Sequence, residues 1–290
     1  MIRQQTRLRM PVDIWLFAVT LALVVIGLWM VFDSSYPKAL DNPRMGYDAF
    51  YFVKQQARGA IVGLAGLFTM MRYGYWNLKR NAVLWMIGGA GLLCAVYLPH
   101  VGVHENNAAR WLKFGPIVFQ ASEVAKLALV IYAASFLSRA HCNVRSLGEQ
   151  GLAPLLLVGG IYILLIEREP DLGTAAVLFL AFMTQLFLAG ARKRHIGLLL
   201  GVSGLAAIIM VMGFGHRRDR IAVYLHPEKY LSGPGYQPYH SIQGVGSGGL
   251  TGFGLGQGRE KYFLPQGNSD FIFVTYAEEL GLVGSYILLG

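Results

Sequence analysis

Long apolar blocks alternate with short polar, basic or glycine-bearing connections along this chain. A helix needs about 20 mostly apolar residues to cross the hydrocarbon core of a bilayer. That ruler predicts crossings near 12–32, 52–71, 82–99, 116–137, 151–167, 172–190, 196–214 and 271–290. Eight crossing helices make the expected fold class an all-α polytopic membrane protein. The last block runs to Gly290 without a polar flank or a following loop, so a longer native chain is expected.

Composition excludes the soluble alternative. Apolar residues make up 54% of the 290 and charged residues 14%, against roughly 25% charged in an ordinary soluble domain. The net charge of +9 does not imply a nucleic-acid partner, because the basic residues are spread over short loops, where they set membrane topology. With the N-terminus inside, Arg3, Arg7, Arg9, Arg72, Lys79, Arg80, Arg139, Arg145, Arg192, Lys193 and Arg194 face the cytoplasm. Seven basic residues (Lys38, Arg44, Lys54, Arg58, Arg110, Lys113, Arg168) lie in or beside the short external loops. The basic N-terminus mimics a signal peptide, but no small-residue cleavage site follows, so the first block reads as a retained span. Cys94 and Cys142 provide neither a disulfide framework nor metal-ligand spacing.

This orientation puts one long segment, 215–270, on the external face of what reads as a single 1–290 transmembrane domain. Loops of that length are functional or disordered. This one mixes aromatics, arginines and prolines with ten glycines between Gly233 and Gly258, which points to an ordered, re-entrant or surface-packed loop. Gly244-x-Gly246-x-x-Gly249 matches a dinucleotide fingerprint, but no strand or βαβ unit surrounds it, and that reading is rejected.

Ionisable residues inside a span are costly and mark function by default. Glu123 and Lys126, three apart in the fourth span, share a helix face. They form either a structural ion pair or part of a cavity for a charged head group. Asp171, after Glu167-Arg168-Glu169-Pro170, either caps the sixth span or joins Arg110-Trp111 and Lys113 at an external mouth. His216-Arg217-Arg218-Asp219-Arg220 is either a head-group anchor or a pyrophosphate contact, since guanidinium matches phosphate geometry. Asp270 stands where water meets hydrocarbon, just before the last span. Either Ser269 or Asp270 caps that helix, or Asp270, partly withdrawn from water, binds a proton readily and acts as a general base. Glu278 and Glu279, two turns deeper, are expected to pair within the bundle.

Four stretches resemble the FtsW/RodA (SEDS) family. They are Arg110-Trp111 with Ser122-Glu123-x-x-Lys126; Pro170-Asp171-Leu172-Gly173-Thr174; Gly235-Tyr236-Gln237 with Gly246-Ser247-Gly248-Gly249-Leu250; and Leu264-Pro265 through Ser269-Asp270-Phe271-Ile272-Phe273 to Glu278-Glu279-Leu280-Gly281. The resemblance implies a ten-span peptidoglycan glycosyltransferase of the bacterial cytoplasmic membrane. Such an enzyme polymerises lipid II beside a class B penicillin-binding protein and other division or elongation membrane proteins. On that basis the eight spans here are eight of ten. The resemblance also implies that Asp270 is the catalytic base, that Glu123, Lys126 and Asp171 line a central cavity, and that Arg110, Arg217, Arg220 and Gln237 contact pyrophosphate or sugar. A divalent cation, Mg or Mn, would help neutralise the leaving group. This chain departs from the family pattern at Gln266, where Glu is usual, and at Asn268-Ser269, where His-Thr is common. The run from Gly254 to Lys261 resembles the division branch. A lipid II flippase and a non-catalytic divisome scaffold are the competing readings, although the crowding of unusual features into one external loop favours chemistry on one face.

Overall fold

A computed structural model describes residues 13–98, 102–105, 108–114, 117–139, 142–148, 151–169, 171–213 and 215–290. Arg3, Arg7, Arg9 and Pro170 lie outside the described residues, as do the side chains of Arg44, Arg217 and Arg218. The chain divides into two compact units, one of residues 1–68 with 211–290 and the other of residues 69–210. Each is described by itself.

The unit of residues 69–210 is a helical core with a small sheet. Its helices are α3 (Tyr75–Arg80), α4 (Ala82–Ala95), α5 (Ala121–Leu137), α6 (Ala153–Arg168), α7 (Leu172–Leu188) and most of α8 (Lys193–Gly213). Small residues bring α4 and α5 together. A Cβ at Gly89 would stand 2.7 Å from the Ala128 methyl and 3.4 Å from the Ala125 Cα, so the helix backbones meet where no larger side chain fits. Leu93, Leu129, Leu155, Ile166, Leu178 and Leu186 fill the space between α4, α5, α6 and α7, each buried.

The structure corrects one expectation here. The fourth apolar block was expected to be helical from 116, but α5 begins at Ala121. Residues 117–120 instead form the last strand of an antiparallel sheet, β1 (Gly102–Glu105), β2 (Ala108–Phe114) and β3 (Ile117–Gln120). Residues 117–120 pair antiparallel with 111–114, with Trp111 opposite Gln120 and Leu112 opposite Phe119. The fold is mostly helical, consistent with the all-α expectation, with one three-stranded sheet beside the helices.

The other unit contains α1 (Ile14–Leu40), most of α2 (Tyr51–Tyr73), α9 (Gly215–Leu225), α10 (Tyr236–Ser247) and α11 (Ile272–Leu289). Asp13 starts α1 by accepting the amides of Trp15 and Leu16 at 3.0 and 3.1 Å. Much of the long 215–270 segment is helical, with short 3-10 turns at Pro227–Tyr230 and Glu260–Tyr262 between α9, α10 and α11. Helix α11 is broken at Gly281, whose φ of 65° and ψ of −164° only glycine adopts readily. The break frees backbone groups that an apolar environment would not tolerate unpaired. The loop takes them up. Phe253 and Gly254 donate their amides to the Glu278 and Glu279 carbonyls at 3.1 and 2.9 Å, while Leu282 and Val283 donate theirs to Gly249 and Leu250 at 2.9 and 3.1 Å.

Among the described residues, α1, α8 and α11 are long and apolar enough to cross a membrane, and α4 and α7 are shorter apolar helices. Trp15, Leu157, Leu164, Leu188 and Ile209 are all exposed, as expected where lipid is the solvent.

Candidate functional site

The 252–271 segment is held by a buried ionic cluster. Lys261 Nζ lies 2.9 and 3.0 Å from the two carboxylate oxygens of Asp33, 2.9 Å from Glu279 Oε1 and 3.0 Å from the Gly256 carbonyl. Both the Lys261 and Glu279 side chains are fully buried. Burial opposes the charged ammonium, but hydrogen bonds and charges from Asp33 and Glu279 outweigh it and hold the Lys261 pKa above its ordinary value. Glu279 also accepts the amides of Gly256 and Gly258 at 2.8 and 2.9 Å, and Glu278 those of Arg259 and Glu260 at 2.9 and 3.1 Å. Glu278 and Glu279 thus bind the loop backbone and Lys261, whereas a pairing within the helical bundle was expected.

Two more residues of α1 reach the same stretch. The Tyr36 and Tyr262 hydroxyls lie 2.7 Å apart, and Lys38 Nζ donates to the Pro265 carbonyl at 2.8 Å. Downstream, the Gln266 carbonyl accepts from Ser269 and Phe271 amides at 3.1 and 3.3 Å, closing the turn that carries Asp270. Beside that turn is an open groove of about 780 Å³ lined by the 231–234 turn, Tyr236, Gln237, Pro265 and Gln266.

Asp270 is exposed, so the expected partial withdrawal from water is not observed. The turn carries it outside the helix: the N-cap of α11 is Phe271, with no side-chain cap bond. Neither Ser269 nor Asp270 caps the helix, and the Asp270 carboxylate makes no hydrogen bond among the described residues. Gln237 lines the groove. Arg220 is exposed on α9. Arg217 is on the same helix, its side chain outside the described set.

The other candidates lie in the 69–210 unit. Asp171 caps α7, accepting the Thr174 amide at 3.0 Å and hydroxyl at 2.8 Å, and it accepts from Gln120 Nε2 at 3.0 Å. Arg110 Nε donates to the Glu169 carbonyl at 2.8 Å, tying β2 to the end of α6. Lys126 and Glu123 pair at 2.8 Å on α5, with Glu123 mostly exposed, beside a mainly apolar groove. Glu169 is 1% exposed, and neither of its carboxylate oxygens has a hydrogen-bond partner among the described residues. Burial pushes its carboxyl up to about 7, with the Asp171 charge adding to the rise and Arg110 opposing it.

The sequence reading did not single out Asp33, Lys261 or Glu169 as site residues. Asp33 could have been found as the acid that directly follows the apolar first block. No local signal tells that Lys261 reaches it across 228 residues. Glu169 stood in view within an acidic cluster, but its burial is a tertiary fact.

Comparisons with known proteins give the family and the fold. The family model described as cell cycle protein, FtsW/RodA/SpoVE, matches residues 14–290. Stage V sporulation protein E of Bacillus subtilis is 37% identical over 279 residues, covering 96% of this chain and 75% of that protein. The probable peptidoglycan glycosyltransferase FtsW of Thioalkalivibrio sulfidiphilus is 37% identical over 288 residues, covering 98% and 70%. Among solved structures, one concerning the coordination of polymerization and crosslinking by a peptidoglycan synthase complex has a TM-score of 0.72 at 24% identity, covering 96% of this chain and 74% of that one. The rod shape determining protein RodA of Thermus thermophilus has a TM-score of 0.63 at 24% identity, covering 96% and 70%. At such identities the structures speak to the fold alone.

Proposed function

The chain belongs to the FtsW/RodA/SpoVE family, and from that premise we propose that it is a membrane-embedded peptidoglycan glycosyltransferase that polymerises lipid II, with Asp270 as general base. A hydroxyl of the acceptor sugar attacks the anomeric carbon of the donor. Its proton passes to the Asp270 carboxylate as the new glycosidic bond forms, and the bond to undecaprenyl pyrophosphate breaks. One observation carries the assignment. Of the two candidate aspartates, Asp171 caps α7 and has both carboxylate oxygens engaged by Thr174 and Gln120, whereas Asp270 is exposed and uncommitted. A general base needs a lone pair within reach of the proton it takes.

The same reading places the protein in the bacterial cytoplasmic membrane with its N-terminus inside, eight helices crossing, 215–270 on the outer side, and 1–290 acting as one domain. Arg110, Glu123, Lys126, Arg217 and Arg220 are assigned to the charged groups of the lipid-linked substrate, each to be judged by its own variant. The partner is a class B penicillin-binding protein that cross-links the product, within the division or elongation machinery. Among the described residues no three His, Cys, Asp or Glu side chains gather to hold a metal ion. No step here runs through a resident divalent cation.

The test is lipid II polymerisation by the purified protein with its transpeptidase partner, comparing wild type with Asp270→Asn. Glycan strands from wild type alone, with the complex intact, support Asp270 as base. Equal strands from both remove that role. No strands from either, from a folded complex, favour a flippase or a scaffold.

A further inference from the structure

One buried acid, Glu169, takes no part in the proposed chemistry. It follows Arg168 at the end of α6, and neither of its carboxylate oxygens has a hydrogen-bond partner among the described residues. A buried carboxylate left unpaired is costly, whereas the neutral acid is tolerated. The unpartnered side chain therefore fits a carboxyl that holds its proton, in line with a pKa raised by burial to about 7.

Arg110 is the cation beside it. From β2 its Nε donates to the main-chain carbonyl of Glu169 at 2.8 Å, which brings the guanidinium next to the carboxyl while engaging neither carboxylate oxygen. The other titratable or charged groups around Glu169 are the Asp171 carboxylate at the start of α7 and the Tyr97 phenol just past α4, with Glu167 and Arg168 before it on α6. Asp171 is committed to Thr174 and Gln120, and Tyr97 donates to the Leu165 carbonyl at 3.3 Å. Arg168 is exposed. An ionised Glu169 would thus turn to Arg110. The planar fork of a guanidinium fits a carboxylate or a phosphate, but one edge cannot serve both at once.

We propose that Glu169 is a positioning residue that acts through Arg110. With its proton in place, it lets the guanidinium pair with the pyrophosphate of the lipid-linked substrate. Without the proton, the carboxylate competes for the same fork and the substrate is held more weakly. The proposal rests on the reading that Arg110 meets the charged end of that substrate, and it adds a proton on which the contact depends. Linkage makes the effect reciprocal, so substrate binding near neutral pH draws a proton onto Glu169.

The experiment measures binding of fluorescent lipid II at pH 6 and pH 8 by the purified protein with its transpeptidase partner in zwitterionic nanodiscs. Wild type should bind about tenfold more weakly at pH 8, where the protonated share of a group titrating at about 7 falls to about a tenth. Glu169→Gln should bind at pH 8 as wild type does at pH 6, and in polymerisation at pH 8 its gain should lie in the donor KM with kcat unchanged. In the weakened binding of an Arg110→Gln background, exchanging Glu169 should alter affinity at neither pH. Calorimetry at pH 7 in buffers of different ionisation heat should record proton uptake by wild type that Glu169→Gln lacks. Thermal shifts establish that each variant is folded. A merely structural Glu169 would change them with pH while leaving lipid II affinity level. Level or absent lipid II binding in wild type overturns the proposal. So does a pH step that survives Glu169→Gln, or an effect of Glu169→Gln that survives the loss of Arg110. A pH step that follows Glu169 and Arg110 in a protein that forms no strands keeps the proposal and removes the glycosyltransferase reading. Strands from a wild type of level affinity do the reverse.

Discussion

The two units solve the same problem, stability in a low-dielectric surrounding, by opposite means. Residues 69–210 pack apolar helices through small residues, with Gly89 against Ala125 and Ala128 and a ring of buried leucines. The unit of residues 1–68 and 211–290 instead buries Asp33, Lys261, Glu278 and Glu279 around a broken helix. Regular helices satisfy their own backbone and need only shape to associate. Where the 249–260 loop and the break at Gly281 leave the helical ladder, backbone groups need partners from elsewhere. Buried charges fill that need, at the risk that losing one partner leaves the others unpaired.

The contrast breaks most sharply at Lys261. Replacing it by Met strands Asp33 and Glu279 without their cation, and unfolding in detergent should show a loss of about 3–5 kcal/mol. Limited proteolysis should then cut within 250–271 before it cuts 69–210. Equal resistance of the two regions would show that the ion cluster does not hold the loop.

Glu169 is the exception in the apolar unit, and it sharpens the comparison through pH. Its folded pKa of about 7 lies above the ordinary carboxylate value, so folding favours the protonated form. The stabilising effect of protonation is fully present below the ordinary value and is lost as pH rises through about 7. Glu169→Gln should remove that decline and raise stability above pH 7 by on the order of a few kcal/mol, with little change at pH 4. A parallel pH dependence in wild type and variant would count against a buried titrating Glu169.

Gly89→Val probes shape without charge. Its branched side chain meets Ala128 where even a Cβ would stand 2.7 Å away, and overpacking of this kind costs about 1–3 kcal/mol. Thermal unfolding should show the loss, with the resistance of 250–271 to limited proteolysis retained. The smallest effect is expected at Asp171→Ala, which removes one cap at a cost of about 1 kcal/mol. Rescue by Asp171→Asn, which still accepts the Thr174 amide, would mark the role as structural. Loss of polymerisation in both variants without loss of stability would place Asp171 in substrate binding.

Much of this molecule was legible in one dimension because a bilayer imposes a length on every apolar segment. The helical class and the family motifs need no long-range information. The break in reading came at 117–120, where an apolar stretch served strand pairing. It came again at Asp270, whose alternatives of cap and base look alike in sequence, and the structure removes only the cap, by placing Phe271 at that position. Charge patterning and apolar periodicity determined that the chain is a membrane protein and which residues could carry chemistry. Only tertiary structure decided that Lys261 finds Asp33, that Glu278 and Glu279 bind loop amides, and that Gln237 and Gln266 face one groove. Those pairings depend on how the chain closes over long separations, and no local preference encodes which partner a buried charge will meet.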